Sequence, residues 1–155
     1  MNMRILKYLT SAVFAITLLA CEGAEQPPKK QYPILDNIVD TLWYSVDTKN
    51  QIYYDINYAE TTGTMVGYNG SQREEIVSNR TFTYSFTPAN NDTDAIVSIA
   101  FEDGQLYSGI LIPKGHFQIN SDEVYWIQLY EVNDKGFVIY DDNGKIKSSI
   151  LMWKE

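Results

Sequence analysis

The sequence has little of what most catalytic and metal-binding proteins depend on. Its 155 residues include one cysteine and one histidine. A single cysteine excludes a disulfide framework and a thiolate metal cluster, and a single histidine excludes most zinc sites and argues against a histidine-based triad. The sequence also contains no phosphate-binding loop and no dinucleotide fingerprint. We therefore expect no metal, no cofactor and no catalytic residues, and we predict that the protein is not an enzyme.

Positive charge is scarce as well. Twelve lysines and arginines stand against twenty acidic residues, which gives a net charge of −8. An acidic chain repels phosphate backbones, so we expect no nucleic-acid partner, whereas a basic protein partner is compatible with this charge. The hydrophobic fraction of 45% is too high for a disordered chain, and the length fits a single domain.

No apolar run is long enough to cross a bilayer as a helix. The uncharged stretch from Tyr8 to Ala20 has 13 residues, whereas a spanning helix needs about 20. Arg4 and Lys7 precede this stretch, as basic residues precede the apolar region of a signal peptide. Residues 1–20 are therefore predicted to be a signal peptide.

The apolar stretch ends in Leu18-Leu19-Ala20-Cys21, which resembles the bacterial lipobox. The resemblance implies cleavage before Cys21 and acylation of this cysteine, for example with palmitate. Several acyl chains give a firm anchor because each buried methylene adds about 0.8 kcal/mol. The residue after the cysteine is Glu22 and not Asp, and by resemblance to other bacterial lipoproteins this implies sorting to the outer membrane. Whether the protein faces the periplasm or the cell surface stays open. The mature chain would carry ten basic and twenty acidic residues.

A tether and a short helical pattern follow the cysteine. Residues 21–33 contain three of the five prolines and no apolar periodicity. They predict a flexible linker with a reach of about 30–40 Å. The main domain is predicted to span residues 34–155. Its first apolar residues recur at helical spacing and predict a short helix or turn that leads into the first strand. They are Ile34, Leu35, Ile38, Val39 and Leu42.

From Leu42 onward the apolar residues alternate with polar ones, as in half-buried strands. The runs cover residues 52–58, 81–87, 96–101, 106–112, 124–130, 137–140 and 146–153. Short turn sequences separate several of the runs and favour hairpins; they include Asn69-Gly70, Glu102-Asp103-Gly104, Pro113-Lys114-Gly115, Asn133 to Gly136 and Asp141 to Gly144. His116, beside the third turn, is interpreted as a solvated turn residue.

These features predict an all-β protein of eight or nine antiparallel strands. No long helical pattern separates the runs, which excludes parallel crossovers. Closure into an up-and-down barrel removes the exposed strand edges most completely, and a β-sandwich is the alternative. We find no internal repeat. The Asp141-Asp142-Asn143-Gly144 segment fails the spacing of a calcium loop and is interpreted as a hairpin turn.

Aromatic residues are the remaining signal for a binding site. If one face of the alternating strands lines a barrel, tyrosine hydroxyls project inward and provide polar anchors for a mostly apolar ligand. The alternative is a filled core, since a small barrel is readily packed by side chains alone. The predicted ligand-binding residues are Trp43, Tyr54, Tyr58, Phe82, Tyr84 and Phe86.

The lipobox, the Pro-rich tether, the tryptophan that opens the first strand and the antiparallel meander together resemble lipocalin-like barrel lipoproteins of Bacteroidetes-type bacteria. Thr41-Leu42-Trp43 lacks the family's glycine two residues before the tryptophan, and no arginine follows Arg80. The resemblance implies an outer-membrane protein that binds a small apolar or amphipathic ligand. Two other hypotheses remain: an inhibitor of a basic, lysozyme-like enzyme, loosely suggested by Ser108-Gly109 and Lys114-Gly115, or an accessory subunit of an envelope complex.

Overall fold

The computed structural model describes residues 35–90, 93–119 and 122–154, and these residues form a closed antiparallel barrel. The predicted signal peptide, the predicted lipidation site Cys21 and the predicted tether lie outside the described residues. The strands follow one another around the barrel in chain order, so the predicted up-and-down barrel is confirmed. The eight strands are β1 (Thr41–Asp47), β2 (Ile52–Tyr58), β3 (Thr62–Asn69), β4 (Glu75–Thr87), β5 (Ala95–Phe101), β6 (Leu106–Ile119), β7 (Asp122–Val132) and β8 (Ser149–Lys154).

The two ends of the barrel differ. The β1–β2, β3–β4, β5–β6 and β7–β8 connections lie at one end, which we call the open end. The segment before β1 reaches the other end, the closed end, where Ile38 is fully buried in the core. Asp40 N donates to Tyr58 O at 2.6 Å, which directs the chain into β1. The predicted turn before β1 is present, but the helix is wrong: Leu42 already belongs to β1, because pairing with β2 overrides the helical spacing.

The alternation in the strands separates a packed interior from an outer wall. Residues with little or no exposure point inward on every strand, and they pack into one cluster in the interior of the barrel. The largest fully buried side chains are Trp43, Tyr58, Phe82, Ile38, Ile56, Ile127, Leu129, Met152, Val97 and Val124.

Strand β3 lies outside the alternating runs because two of its inward positions are glycines. A Cβ on Gly63 would lie 2.2 Å from Cζ of Phe82, and a Cβ on Gly67 would lie 2.7 Å from Cε1 of Tyr54. The large rings of the neighbouring strands occupy the space that a side chain on β3 would need. The sequence of β3 therefore lacks the alternation of apolar and polar residues that identifies the other strands, because apolar side chains of β2 and β4 fill the interior beside its glycines.

Two predicted local features are wrong. The expected turn at Pro113-Lys114-Gly115 is part of β6, where the register with β7 shifts between Ile112 and Phe117. Gly115 has a φ of +94°, and a bulge of this kind accommodates a proline inside a strand. The expected strand at residues 137–140 is also absent, since only the isolated bridges Val132–Val138 and Tyr140–Ile146 form there.

The β7–β8 connection contains two turns of the same construction, eight residues apart, which is a short repeat that the sequence analysis missed. The side chain of Asn133 accepts hydrogen bonds from the backbone N–H groups of Lys135 and Phe137. The side chain of Asp141 accepts hydrogen bonds from Asn143 and Lys145 in the same way. This arrangement brings Lys147 and Ser148 back beside Glu131 at the open end, because Glu131 N donates to Ser148 O.

Candidate functional site: a polar cavity at the open end

A cavity of about 490 Å³ lies at the open end of the barrel, above the packed core. This volume falls within the range of small-molecule sites. The side chains at its base are Met65 and Tyr107, which are 5% and 4% exposed and belong to the core cluster. The complete lining is Ser45, Val46, Asp47, Thr48, Tyr54, Met65, Arg80, Tyr107, Ser148, Ser149, Ile150 and Leu151.

The cavity extends sideways between the first and last strands. Strand β1 pairs with β8 at one position, Tyr44 opposite Trp153, whereas β1 pairs with β2 along its whole length. Above this pair, residues 45–48 of β1 and its turn and residues 148–151 of β8 line the same cavity. We call this part of the wall the seam. The lining of the cavity therefore includes Val46 and Leu151, the outward residues of the seam, as well as inward ones.

Arg80 provides the positive charge of the cavity. Its guanidinium carbon lies 3.6 Å from the centroid of the Phe101 ring, in cation–π geometry. Its Nη2 donates to Asp103 Oδ2 at 2.6 Å and to Gln105 Oε1 at 2.7 Å. The turn between β5 and β6 thus fixes the guanidinium. A planar donor held in this way suits a carboxylate, phosphate or carbonyl group of a ligand.

Asp47 and Tyr54 lie at the cavity wall on β1 and β2. Hydrogen bonds from the side chain and backbone of Asn50 hold the pKa of Asp47 below its ordinary value. Burial raises the pKa of the Tyr54 phenol, and the Asp47 carboxylate raises it further, while the Arg80 guanidinium opposes both effects. Tyr54 is therefore a neutral hydrogen-bonding group within the electrostatic reach of both a cation and an anion.

A second polar group lies beside the cavity, where β6, β7 and the β7–β8 connection meet. Tyr107 and Ser148 share a hydrogen bond of 3.0 Å between their hydroxyl oxygens, and both residues line the cavity. Lys147 Nζ donates to Glu131 Oε1 at 2.6 Å, and this hydrogen bond raises the pKa of Lys147. These contacts fix the cavity wall and add hydroxyl groups to it.

Of the six residues predicted to bind ligand, Tyr54 is the one that lines this cavity. Trp43, Tyr58 and Phe82 are 0–1% exposed and belong to the packed core. Tyr58 and Phe82 meet edge to face with ring centroids 5.4 Å apart, and burial raises the pKa of Tyr58 strongly. Tyr84 and Phe86 are partly buried residues packed against the same core. The Tyr84 hydroxyl donates to Ala59 O at 2.5 Å in the β2–β3 turn, at the closed end.

The sequence analysis missed Asp47, Arg80 and Tyr107. Arg80 carries a signal that could have been used, because it lies two residues before Phe82 and therefore faces the same side of β4. A charged residue in an inward register marks the point where a packed interior gives way to a polar cavity. Asp47 carries the same signal, because it lies four residues after Trp43 on the same face of β1. Tyr107 gives no comparable signal, and the proximity of all three residues depends on how the barrel closes.

Other possible sites have a different character. In the described parts of the chain, no cluster of three or more His, Cys, Asp and Glu residues could hold a metal ion, and no helix is long and apolar enough to span a membrane. Ser108, Gly109 and Lys114 lie within β6, and Ser108 shares a hydrogen bond with Ser98 of β5. They form no projecting loop of the type that an inhibitor inserts into an enzyme cleft.

Comparison of the chain with protein-family models, curated proteins and solved structures finds no match.

Proposed function

We propose that this chain is a non-enzymatic binding protein that holds a small amphipathic ligand in the polar cavity at the open end of its barrel. We further propose that an acylated Cys21 anchors it to the outer membrane. The observation that carries the binding proposal is the change in the interior from a packed core to a cavity lined by Arg80, Asp47 and Tyr54.

The lining favours a ligand with two kinds of surface. Arg80 and the hydroxyls of Ser45, Tyr54 and Ser148 provide hydrogen-bonding groups, and Met65 provides apolar surface at the base. A polar or anionic head group beside Arg80 with a short apolar portion near Met65 matches this distribution. A purely apolar ligand is a weaker candidate, because it would remove water from the guanidinium and hydroxyl groups of the cavity without offering them hydrogen bonds of its own.

The test is native mass spectrometry of the full protein purified gently from its own envelope. We expect an added mass of a few hundred daltons that is lost on denaturation. Arg80→Met and Tyr54→Phe should reduce the bound fraction. Tyr84→Phe is the matched control, because it removes a tyrosine hydroxyl that bonds Ala59 at the closed end. A protein that carries no ligand from its native envelope, or whose ligand is unaffected by Arg80→Met, would overturn the binding proposal.

The anchor is tested separately by the mass of the same purified protein. Acylated protein beginning at Cys21 should gain the mass of its fatty acids, and Cys21→Ser should abolish this gain and release the protein from membranes. An unacylated protein that still carries a ligand would overturn the anchor and leave the binding proposal standing.

A second candidate function is recognition of a basic protein partner. Acidic side chains occupy the turns that surround the cavity at the open end, and they are exposed: Glu74, Glu75, Glu102, Asp103, Asp134, Asp141 and Asp142. Such a rim attracts a basic surface over long range. A protein that co-purifies at low salt and dissociates at high salt would support this function over small-ligand binding.

A further inference from the structure

The outward strand positions of the barrel carry few charges, and one part of the outer wall is distinguished by large aromatic and aliphatic side chains. This part is formed by the outward side chains of four neighbouring strands. These are residues 108, 110 and 112 of β6, residues 126, 128 and 130 of β7, residues 149, 151 and 153 of β8, and residues 42, 44 and 46 of β1. We call this surface the β6–β1 wall. None of its outward side chains is charged, although a soluble surface is ordinarily about one quarter to one third charged. The charged residues of the described chain lie mainly in turns, at strand ends and around the cavity.

Aromatic and aliphatic side chains run across this wall as cross-strand neighbours. Ile112 lies opposite Trp126, Trp126 opposite Trp153, and Trp153 opposite Tyr44. The ring centroids of Trp126 and Trp153 are 6.2 Å apart, and those of Trp153 and Tyr44 are 6.3 Å apart. Leu151, in the next row, is 43% exposed. A contiguous apolar surface of this kind marks a contact site, and tryptophan and tyrosine are the residues enriched where protein meets the head-group region of a bilayer.

The predicted lipid anchor indicates the partner of the wall. The described chain begins at Leu35 and enters β1 at Thr41, and β1 is itself part of the wall. The predicted tether of residues 21–33 has a reach of about 30–40 Å. A lipid anchor at Cys21 would therefore keep the barrel within this distance of a membrane, at an effective concentration where even a weak contact is occupied.

The aromatic side chains select the orientation. Absence of charge does not, because the outward positions of β3 and β5, and those of β4 from Val77 to Thr87, are uncharged too. Those positions hold mostly Thr and Ser, whereas the β6–β1 wall presents tryptophan and tyrosine rings side by side. At its β1 edge the Arg73 guanidinium, ion-paired with Asp55, lies 5.3 Å from the Tyr44 ring centroid. We infer that this wall rests on the lipid surface to which the protein is anchored, with Trp126, Trp153 and Tyr44 in the head-group region. The inference rests on the anchor in the proposed function and is independent of the ligand.

The seam gives this contact a consequence for the cavity. Val46 and Leu151 belong to the wall and also line the cavity beside the seam. A barrel lying on this wall would bring the seam side of its cavity next to the lipid surface.

The experiment uses the full acylated protein in phosphatidylcholine vesicles, with or without brominated phosphatidylcholine as a quencher of tryptophan fluorescence. We expect brominated lipid to quench the wild type. The double variant Trp126→Phe/Trp153→Phe should lose most of this quenching, because its remaining tryptophan, Trp43, is fully buried in the core. Absence of quenching in the acylated, folded wild type would overturn the inference.

A charge placed on the wall provides the matched test. Leu151→Lys should reduce quenching, since it brings an ammonium group into the contact. Ser85→Lys adds the same charge at an exposed outward position of β4, away from the wall, and should leave quenching unchanged. Equal effects of the two substitutions, or a cross-linked dimer of the protein through the wall in these vesicles, would count against a lipid contact.

The proposed lipid anchor and the inferred contact of the wall with lipid can be tested separately. If mass spectrometry shows no acyl chain, the same full chain is added directly to the phosphatidylcholine vesicles. Quenching that is sensitive to Leu151→Lys would then support the wall contact although the anchor had failed, and its absence would overturn both.

Discussion

Lys147 Nζ donates a 2.6 Å hydrogen bond to Oε1 of Glu131, which joins a half-exposed ammonium group to a carboxylate that is 5% exposed. The pair connects the end of β7 to the segment that leads into β8, beside the cavity. Removing the cation of such a pair leaves a buried carboxylate without its charged partner. We therefore expect Lys147→Met to lower the urea midpoint of unfolding, and Lys135→Met, on the adjacent turn, to have a smaller effect.

The pH dependence of this pair has a defined sign. The pKa of Lys147 is raised in the folded protein, so the stabilisation is fully present below the unfolded value of about 10.4. It is lost as the pH rises through the folded pKa. The difference in stability between wild type and Lys147→Met should therefore be constant between pH 7 and 9 and shrink at pH 11 and above. A difference that grows with pH would contradict this assignment.

Gly109 provides a test of the close packing of β6 against β7. A Cβ at this position would lie 1.7 Å from the backbone oxygen of Gln128, which cannot rotate away. We expect Gly109→Ala to cost at least about 3 kcal/mol, the upper part of the range for overpacking. Gly67→Ala is the control, because the three nearest atoms to its added Cβ belong to side chains, at 2.7–3.1 Å. Chemical denaturation measures both, and equal costs would show that β6 and β7 separate readily.

Asp47 organises the β1–β2 turn through hydrogen bonds that it accepts from the backbone N–H groups of Lys49 and Asn50 and from the Asn50 amide. Its pKa is lowered, so its contribution is present above the unfolded value of about 3.9 and is lost as the pH falls through the folded pKa. Asp47→Ala should cost about 1 kcal/mol at pH 7 and much less at pH 2. Asp47→Asn should be intermediate. Urea unfolding curves at pH 7 and at pH 2 measure the loss of stability in each variant.

The Tyr54 phenol reports the electrostatics of the cavity. Because Asp47 raises its pKa and Arg80 lowers it, Asp47→Asn should shift the Tyr54 pKa downward and Arg80→Met should shift it upward. NMR titration of tyrosine labelled with carbon-13 at Cζ follows each ring separately. Tyr84, whose pKa is raised by burial and by Asp40 and Glu60, should not respond to either substitution. Shifts in the same direction for both variants would mean that Tyr54 does not lie between these charges.

The class of this fold follows from local features of the amino-acid sequence. Alternation of apolar and polar residues is a local property, so the runs at residues 52–58 and 96–101 identify strands β2 and β5 without knowledge of their partners. The hairpin sequences at Asn69-Gly70 and at residues 102–104 likewise act over a few residues. The predictions of a lipid anchor at Cys21 and of a tether also rest on local sequence, and they remain predictions.

The division of the inward side chains between a core and a cavity depends on the three-dimensional arrangement of the strands. Trp43, Tyr58 and Phe82 are aromatic residues at inward strand positions, as Tyr54 is. They are nevertheless buried, because they lie toward the closed end. Asp47, Arg80 and Ser148 are far apart in sequence and meet because the cross-strand register and the closure of the barrel bring them together. Register and closure depend on pairing between distant strands, and the alternation within a single strand does not specify them.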